Sequence, residues 1–236
     1  MAEDTASRIA ALDPEAPLAH RLTYRHIRRN IAGLLAERPA GGAVRVPACP
    51  GWTVRDTVAH LVRSSRVAER ALRNAPPRYQ ATLGRLSLPE LLAEWERSGE
   101  QVELLLGRIP PGQAGSVLVM DAFTHEFDIA RALEAAFPSE HPALPGSLDV
   151  VIAGFHAALC WRCLPALSVE APGGRWTVGE GPCVATVSGE RLDLYRSLAG
   201  RRTTAQIRAL SWSVDPEPWL PAFAWGPFRP PGLLVE

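Results

Sequence analysis

The sequence contains no lysine: all 25 basic residues among its 236 are arginine. Without a lysine amine, the chain cannot form a Schiff base, anchor pyridoxal phosphate, or build the phosphate-binding loops that need this residue. The acidic residues also number 25, so no basic surplus remains to attract nucleic acid by counterion release. We therefore expect neither amine-based catalysis nor a nucleic-acid partner.

Long apolar runs and paired cysteines are also scarce. The start of the chain has no apolar core typical of a signal peptide, and the most apolar run, Val150 to Trp161, is too short to span a membrane. Four cysteines in a chain of this length do not form the disulfide framework of a small secreted protein. These absences predict a cytoplasmic protein without a membrane partner.

Two regions of different character follow one another along the chain. Up to Pro165, apolar residues recur at helical spacing, and Thr53 with Asp56 is typical of a capping box at a helix start. Beyond Pro165, short β-branched runs indicate strands. The sequence therefore predicts an α+β protein, with a helical bundle over residues 1–165 and a small α/β domain over residues 166–236. Within the latter, residues 206–214 are predicted to form a strand.

An aspartate and a histidine stand one turn apart on the fourth predicted helix. Asp121 and His125 are four residues apart, so their side chains share one helix face. A divalent metal could partner them, with His60 of another helix as third ligand and one open position. Asp128, three residues after His125, could support that histidine or act as a general base. The alternative is that both histidines are core residues hydrogen-bonded to carboxylates.

Several cysteines admit both a functional and a structural interpretation. His156, Cys160 and Cys163 share one helix face and could bind a soft metal, although free cysteines often serve only as small packing residues. Cys49 precedes a helix N-terminus, where a thiolate is favoured. The flanking proline and glycine explain its position equally well.

Two adjacent arginines follow the end of a predicted helix in the C-terminal region. Arg201 and Arg202 could hold an acidic ligand, because a guanidinium binds a carboxylate in a bidentate manner. Ordinary exposure on the protein surface is the alternative explanation.

Three blocks together resemble the mycothiol-dependent maleylpyruvate isomerase family: VPACPGWTVRDTVAHL, DAFTHEFDIARAL and VSGERLDLYRSLAGRR. The resemblance implies a DinB-like four-helix bundle followed by a small α/β domain. It also implies a divalent metal, usually zinc, bound by His60, Asp121 and His125. Position 121 departs from the family, because the isomerase has glutamate there, but aspartate is also a competent zinc ligand. Mycothiol is an actinobacterial thiol, and an arginine-only basic set is typical of the GC-rich genomes of that group.

The resemblance further implies that mycothiol is the thiol cofactor or co-substrate. Its sulfur would bind the metal as a thiolate and attack an electrophilic small molecule, giving cis–trans isomerisation or S-transfer. Asp128 would shuttle a proton, and Arg201 or Arg202 would hold a substrate carboxylate. The alternatives are a zinc-dependent hydrolase of the same fold and a non-catalytic metal-binding or regulatory protein.

Overall fold

Four helices form the N-terminal part of the chain in this computed structural model, which describes residues 16–73, 75, 83–108 and 113–232. They are α1 (Ala16–Glu37), α2 (Val54–Leu72), α3 (Leu88–Leu106) and α4 (Gln113–Ala132). Helices α1 and α2 each pack against both α3 and α4. This arrangement confirms the predicted four-helix bundle.

The bundle core is made of large apolar side chains from all four helices. Inside it, Trp95 Nε1 donates a hydrogen bond to Tyr24 Oη at 3.1 Å, so the indole N–H is satisfied although it is buried. The largest fully buried side chains of the bundle are Tyr24, Ile27, Ile31, Leu61, Leu91, Trp95, Leu106, Phe123 and Ile129.

A side-chain cap sets the start of helix α2. The backbone N–H of Asp56 donates to Thr53 Oγ1, and the carboxylate of Asp56 accepts from the backbone N–H of Thr53. This is the capping box that the sequence predicts. The backbone hydrogen bond from Thr53 also lowers the pKa of the Asp56 carboxyl. Because His60 lies two turns beyond Thr53, the cap fixes where that histidine falls on the helix.

The C-terminal part combines a long helix with a small mixed sheet. Helix α5 (Leu144–Trp161) is followed by strands β1 (Pro165–Ala171), β2 (Gly174–Val178) and β3 (Glu180–Ser188), helices α6 (Arg191–Leu198) and α7 (Thr204–Arg208), and strand β4 (Ser211–Trp212). The strand order is β2-β1-β3-β4, with β1 and β3 parallel and the other neighbours antiparallel. The α+β fold class predicted from the sequence is thereby confirmed.

The two compact units divide between Phe137 and Pro138, whereas the sequence predicts a boundary after Pro165. Helix α5 accounts for the difference, because it packs against α6 and β2 within the second unit. Its Gly154 is in close contact with the ring of Trp225, where a Cβ atom would lie 2.0 Å from the nearest ring atom. Helical periodicity identifies such a helix but does not reveal which partner covers it.

The sequence predicts one strand over residues 206–214, but the structure has a short helix and a two-residue strand there. The backbone N–H of Gln206 donates to Thr203 Oγ1, and the Gln206 side chain accepts from the backbone N–H of Thr203. This capping box begins the short helix α7, so only Ser211–Trp212 remains to pair with β3. A capping signal of Thr followed three residues later by Gln outweighs the β-branched character of the segment.

Among the described residues, helix α5 alone has the length and mean hydropathy of a candidate membrane span, 1.3 over 18 residues. Its buried side chains, which include Leu148, Ile152 and Phe155, pack within the second unit. A buried core helix of a soluble protein meets the same criteria, so this single helix is weak evidence for a membrane protein.

Candidate metal centre

Helices α2 and α4 bring three potential metal ligands together. His60 Nε2 lies 3.1 Å and 3.2 Å from the two carboxylate oxygens of Asp121. His125 Nε2 lies 3.7 Å from Asp121 Oδ1. Each of the three residues offers one ligand atom, and these atoms lie within 4.8 Å of one another. The residues that the sequence selects for a metal site are therefore neighbours in the fold.

The three candidate ligands are partly exposed to solvent. The side chains of His60 and Asp121 are each 27% exposed, whereas that of His125 is 8% exposed. Core histidines that only satisfy buried carboxylates would be enclosed by apolar side chains. The exposure of His60 and Asp121 therefore favours a binding site that a small molecule can reach.

A second carboxylate orients His125. Its Nδ1 lies 3.1 Å from Asp128 Oδ2, and the side chain of Asp128 is only 1% exposed. When Nδ1–H donates to Asp128, the neutral imidazole presents its lone pair on Nε2, toward Asp121. This tautomer follows from the hydrogen-bond network. A histidine held in this way by a carboxylate is the usual arrangement of a metal ligand.

The carboxyl of Asp121 is held in its charged form. Burial alone would raise its pKa, but the hydrogen bond from His60 and the electrostatic interactions with His125 and His60 outweigh that effect, so the pKa is lowered. An ionised carboxylate between two imidazoles is a donor set that suits zinc.

Trp52 forms part of the wall of this site, a position that no motif in the sequence predicts. Its ring centroid lies 5.3 Å from that of His60 and 6.0 Å from that of His125, and it is nearly parallel to the latter, at 27°. The tryptophan directly precedes the capping residue Thr53, and this adjacency to the helix that carries His60 is the only sequence signal of its position.

The chain before α2 folds back as a tight loop that places Cys49 beside α4. The backbone N–H of Cys49 donates to Val46 O, and that of Trp52 donates to Cys49 O. The thiol of Cys49 lies 3.7 Å from Asp128 Oδ2, as a weak hydrogen-bond donor. Cys49, His125 and Asp128 form a second group whose ligand atoms lie within 4.8 Å of one another.

The other candidate residues lie in the second unit and contact neighbours there. Arg202 forms an ion pair with Asp193. Arg201 Nη1 donates to Ala199 O at 2.8 Å, and its guanidinium lies over the ring of Phe228, 5.9 Å from the centroid. Both guanidinium groups thus already have partners within their own unit.

The cysteines of helix α5 and its C-terminal end do not form a metal-ligand set. His156 accepts a hydrogen bond from the backbone N–H of Gly179 at Nδ1, and its Nε2 lies 3.6 Å from Cys160 Sγ. Cys163 is exposed, in a left-handed backbone conformation with φ of 52°. Within the described part of the chain, these three side chains do not bring three ligand atoms close together.

One family model and two solved structures are similar to this chain. The family model described as mycothiol maleylpyruvate isomerase N-terminal domain matches residues 24–137, which include every residue of the candidate centre. A crystal structure of the mycothiol-dependent maleylpyruvate isomerase matches 85% of this chain and 92% of that chain, with a TM-score of 0.61 and 15% identity. A histidine-to-alanine mutant of that isomerase matches with the same coverage and identity and a TM-score of 0.57. At this identity the structures demonstrate a common fold. No curated protein matches the sequence.

Proposed function

We propose that the protein is a metal-dependent enzyme that uses mycothiol, because the family model described as mycothiol maleylpyruvate isomerase N-terminal domain matches residues 24–137. Its reaction is the attack of the thiol on an electrophilic small molecule, with cis–trans isomerisation or S-transfer as the outcome. The observation that carries the proposal is the convergence of His60, Asp121 and His125 in a partly exposed site.

The residues present fit a divalent cation, most simply zinc. Two imidazole nitrogens and one carboxylate are three protein ligands, which is the number that catalytic zinc sites use while leaving one position open. A cation bound there would supply one chemical effect, which is to lower the pKa of a thiol that takes the open position. Asp121 contributes the negative charge, although its side chain is one methylene shorter than the glutamate of the isomerase.

Two neighbouring residues, Asp128 and Trp52, contact the imidazoles of this site. Asp128 holds the ring of His125 through Nδ1, so that Nε2 faces the site. The side chain of Asp128 is 1% exposed. Because it is buried so deeply, we assign it the positioning of His125 and not a proton transfer to a substrate. The ring of Trp52 lies against the two imidazoles and adds an apolar surface beside them.

A carboxylate clamp for an acidic substrate remains part of the proposal. Arg201 and Arg202 are its candidates, because the chain has only arginine for a fixed positive charge. Arg202 would have to exchange its ion pair with Asp193, whose side chain is 45% exposed, for a substrate carboxylate. The Arg202 side chain is only 17% exposed, so its guanidinium needs a carboxylate partner in either state, and the exchange replaces one such partner by another.

The proposed function is tested with protein purified without chelator. Maleylpyruvate or an alkylating electrophile is added with and without mycothiol, and the products are identified by mass spectrometry. We expect a mycothiol-dependent isomer of unchanged mass, or a mycothiol adduct. Products that contain one added water and form equally well without the thiol would identify a hydrolase. A metal-bearing protein without any turnover would favour the non-catalytic alternative.

Replacement of Asp128 by asparagine is expected to weaken zinc binding by about 10- to 100-fold, because the neutral amide no longer anchors the His125 ring as a charged acceptor. The measurement is zinc affinity by competition with a chromophoric chelator, with thermal unfolding to verify the fold. Asp215→Asn, at an exposed position of the second unit, is the matched control and should bind zinc like the wild type. Equal affinities of the two variants would contradict the positioning role.

A further inference from the structure

The thiol of Cys49 meets an imidazole and a carboxylate of the candidate centre, although the thiol itself has no role in that centre. This Cys49 cluster consists of Cys49, His125 and Asp128, and its ligand atoms lie within 4.8 Å of one another. Asp128 Oδ2 is common to both short contacts, at 3.7 Å from Cys49 Sγ and 3.1 Å from His125 Nδ1. Sulfur, nitrogen and oxygen donors together form a set that favours a soft or borderline cation.

The fold fixes these donors in place. Cys49 is held by backbone hydrogen bonds within the loop from Val46 to Trp52, and the other two residues lie one turn apart on α4. His125 and Asp128 are buried, whereas Cys49 is half-buried and can be reached from solvent. The cluster thus has two buried donors and one half-buried thiol.

We propose that Cys49 Sγ, His125 Nδ1 and Asp128 Oδ2 form a second binding position, for a thiophilic divalent cation. It is distinct from the position formed by His60, Asp121 and His125, which uses the opposite nitrogen of the same ring. Binding releases the thiol proton to solvent, and the proton on His125 Nδ1 moves to Nε2. No electron transfer takes place.

The two positions exclude each other at His125. A neutral imidazole has one lone pair, so the ring can ligate through Nε2 or through Nδ1 but not through both. When Nε2 binds the cation, Asp128 accepts a hydrogen bond from Nδ1–H. When Nδ1 binds the cation, Asp128 becomes a ligand itself. A thiophilic cation in the Cys49 cluster therefore withdraws His125 from the catalytic set, and this consequence, unlike the binding itself, rests on the proposed function.

The test uses Cd²⁺ and the ultraviolet charge-transfer absorption of a cadmium–thiolate bond. The parent variant carries Cys160→Ser, Cys163→Ser and Cys183→Ser, so that Cys49 is the only thiol left. We expect absorption that saturates at one cadmium per chain in the parent. His125→Ala and Asp128→Ala added to the parent should each weaken the cadmium affinity measured by this absorption at least about tenfold. Circular dichroism establishes that each variant is folded.

His60→Ala in the same parent separates the two positions. We expect it to keep the cadmium–thiolate absorption and its affinity, because His60 does not belong to the Cys49 cluster. Equal loss in His60→Ala and in His125→Ala would show that the thiol completes the first position, and would overturn a separate site. Absence of the absorption in the parent, or its persistence at unchanged affinity in His125→Ala, would also overturn the proposal. If zinc binding proves independent of His60, the proposed function fails while the cadmium result stands.

Discussion

Replacement of His125 by alanine is expected to remove the bound metal and to lower the mycothiol-dependent activity by more than about 100-fold. Loss of a residue that only orients a metal ligand already costs 10- to 100-fold in affinity or activity, and His125 is a ligand itself. The substitution leaves His60 and Asp121, and two protein ligands are fewer than catalytic zinc sites use. Metal content by elemental analysis and rate with mycothiol are the two measurements.

The matched control for this prediction is His26→Ala. His26 is an exposed histidine of helix α1, and its replacement should leave metal content and rate unchanged. Dialysis of the wild type against a chelator should reproduce the loss seen in His125→Ala, and added zinc should restore activity in the wild type alone. If His125→Ala retains as much metal as the wild type, the proposed centre is wrong.

Replacement of Glu103 by alanine is expected to lower the free energy of unfolding by about 3–5 kcal/mol, because it leaves a buried arginine without its main partner. Glu103 Oε1 accepts from Arg28 Nη2 at 2.5 Å and from Arg28 Nε at 3.1 Å, and Oε2 accepts from Arg25 at 2.7 Å. The side chains of Arg28 and Glu103 are 4% and 3% exposed. Gly99 makes room for this guanidinium, since a Cβ atom there would lie 2.4 Å from Arg28 Nε.

Glu96→Ala is the control on the same helix. Glu96 also pairs with Arg28, at 2.6 Å, but its side chain is 60% exposed. Removal of an exposed partner should cost no more than about 1 kcal/mol, because water can replace the carboxylate. Chemical denaturation of both variants measures the difference. If both variants lose the same free energy of unfolding, burial of the Arg28–Glu103 pair does not determine its contribution to stability.

Local chemistry explains why much of the fold and the choice of site residues could be predicted. The capping box of Thr53 and Asp56 depends on residues three apart, and the shared face of Asp121 and His125 follows from helix geometry. The lack of lysine excluded whole classes of catalysis from composition alone. That His60, Asp121 and His125 bind a metal stays a prediction, which the first experiment addresses.

Contacts between distant parts of the chain required the tertiary structure. His60 and Asp121 are separated by 61 positions, and helix packing brings them within 3.1 Å. The stacking of Trp52 on His125, the contact of Cys49 with Asp128 and the packing of α5 in the second unit arise in the same way. Periodicity within a helix reflects its own backbone hydrogen bonds, and is therefore readable in sequence. Which faces meet depends on side-chain packing across the whole bundle, which no local spacing encodes.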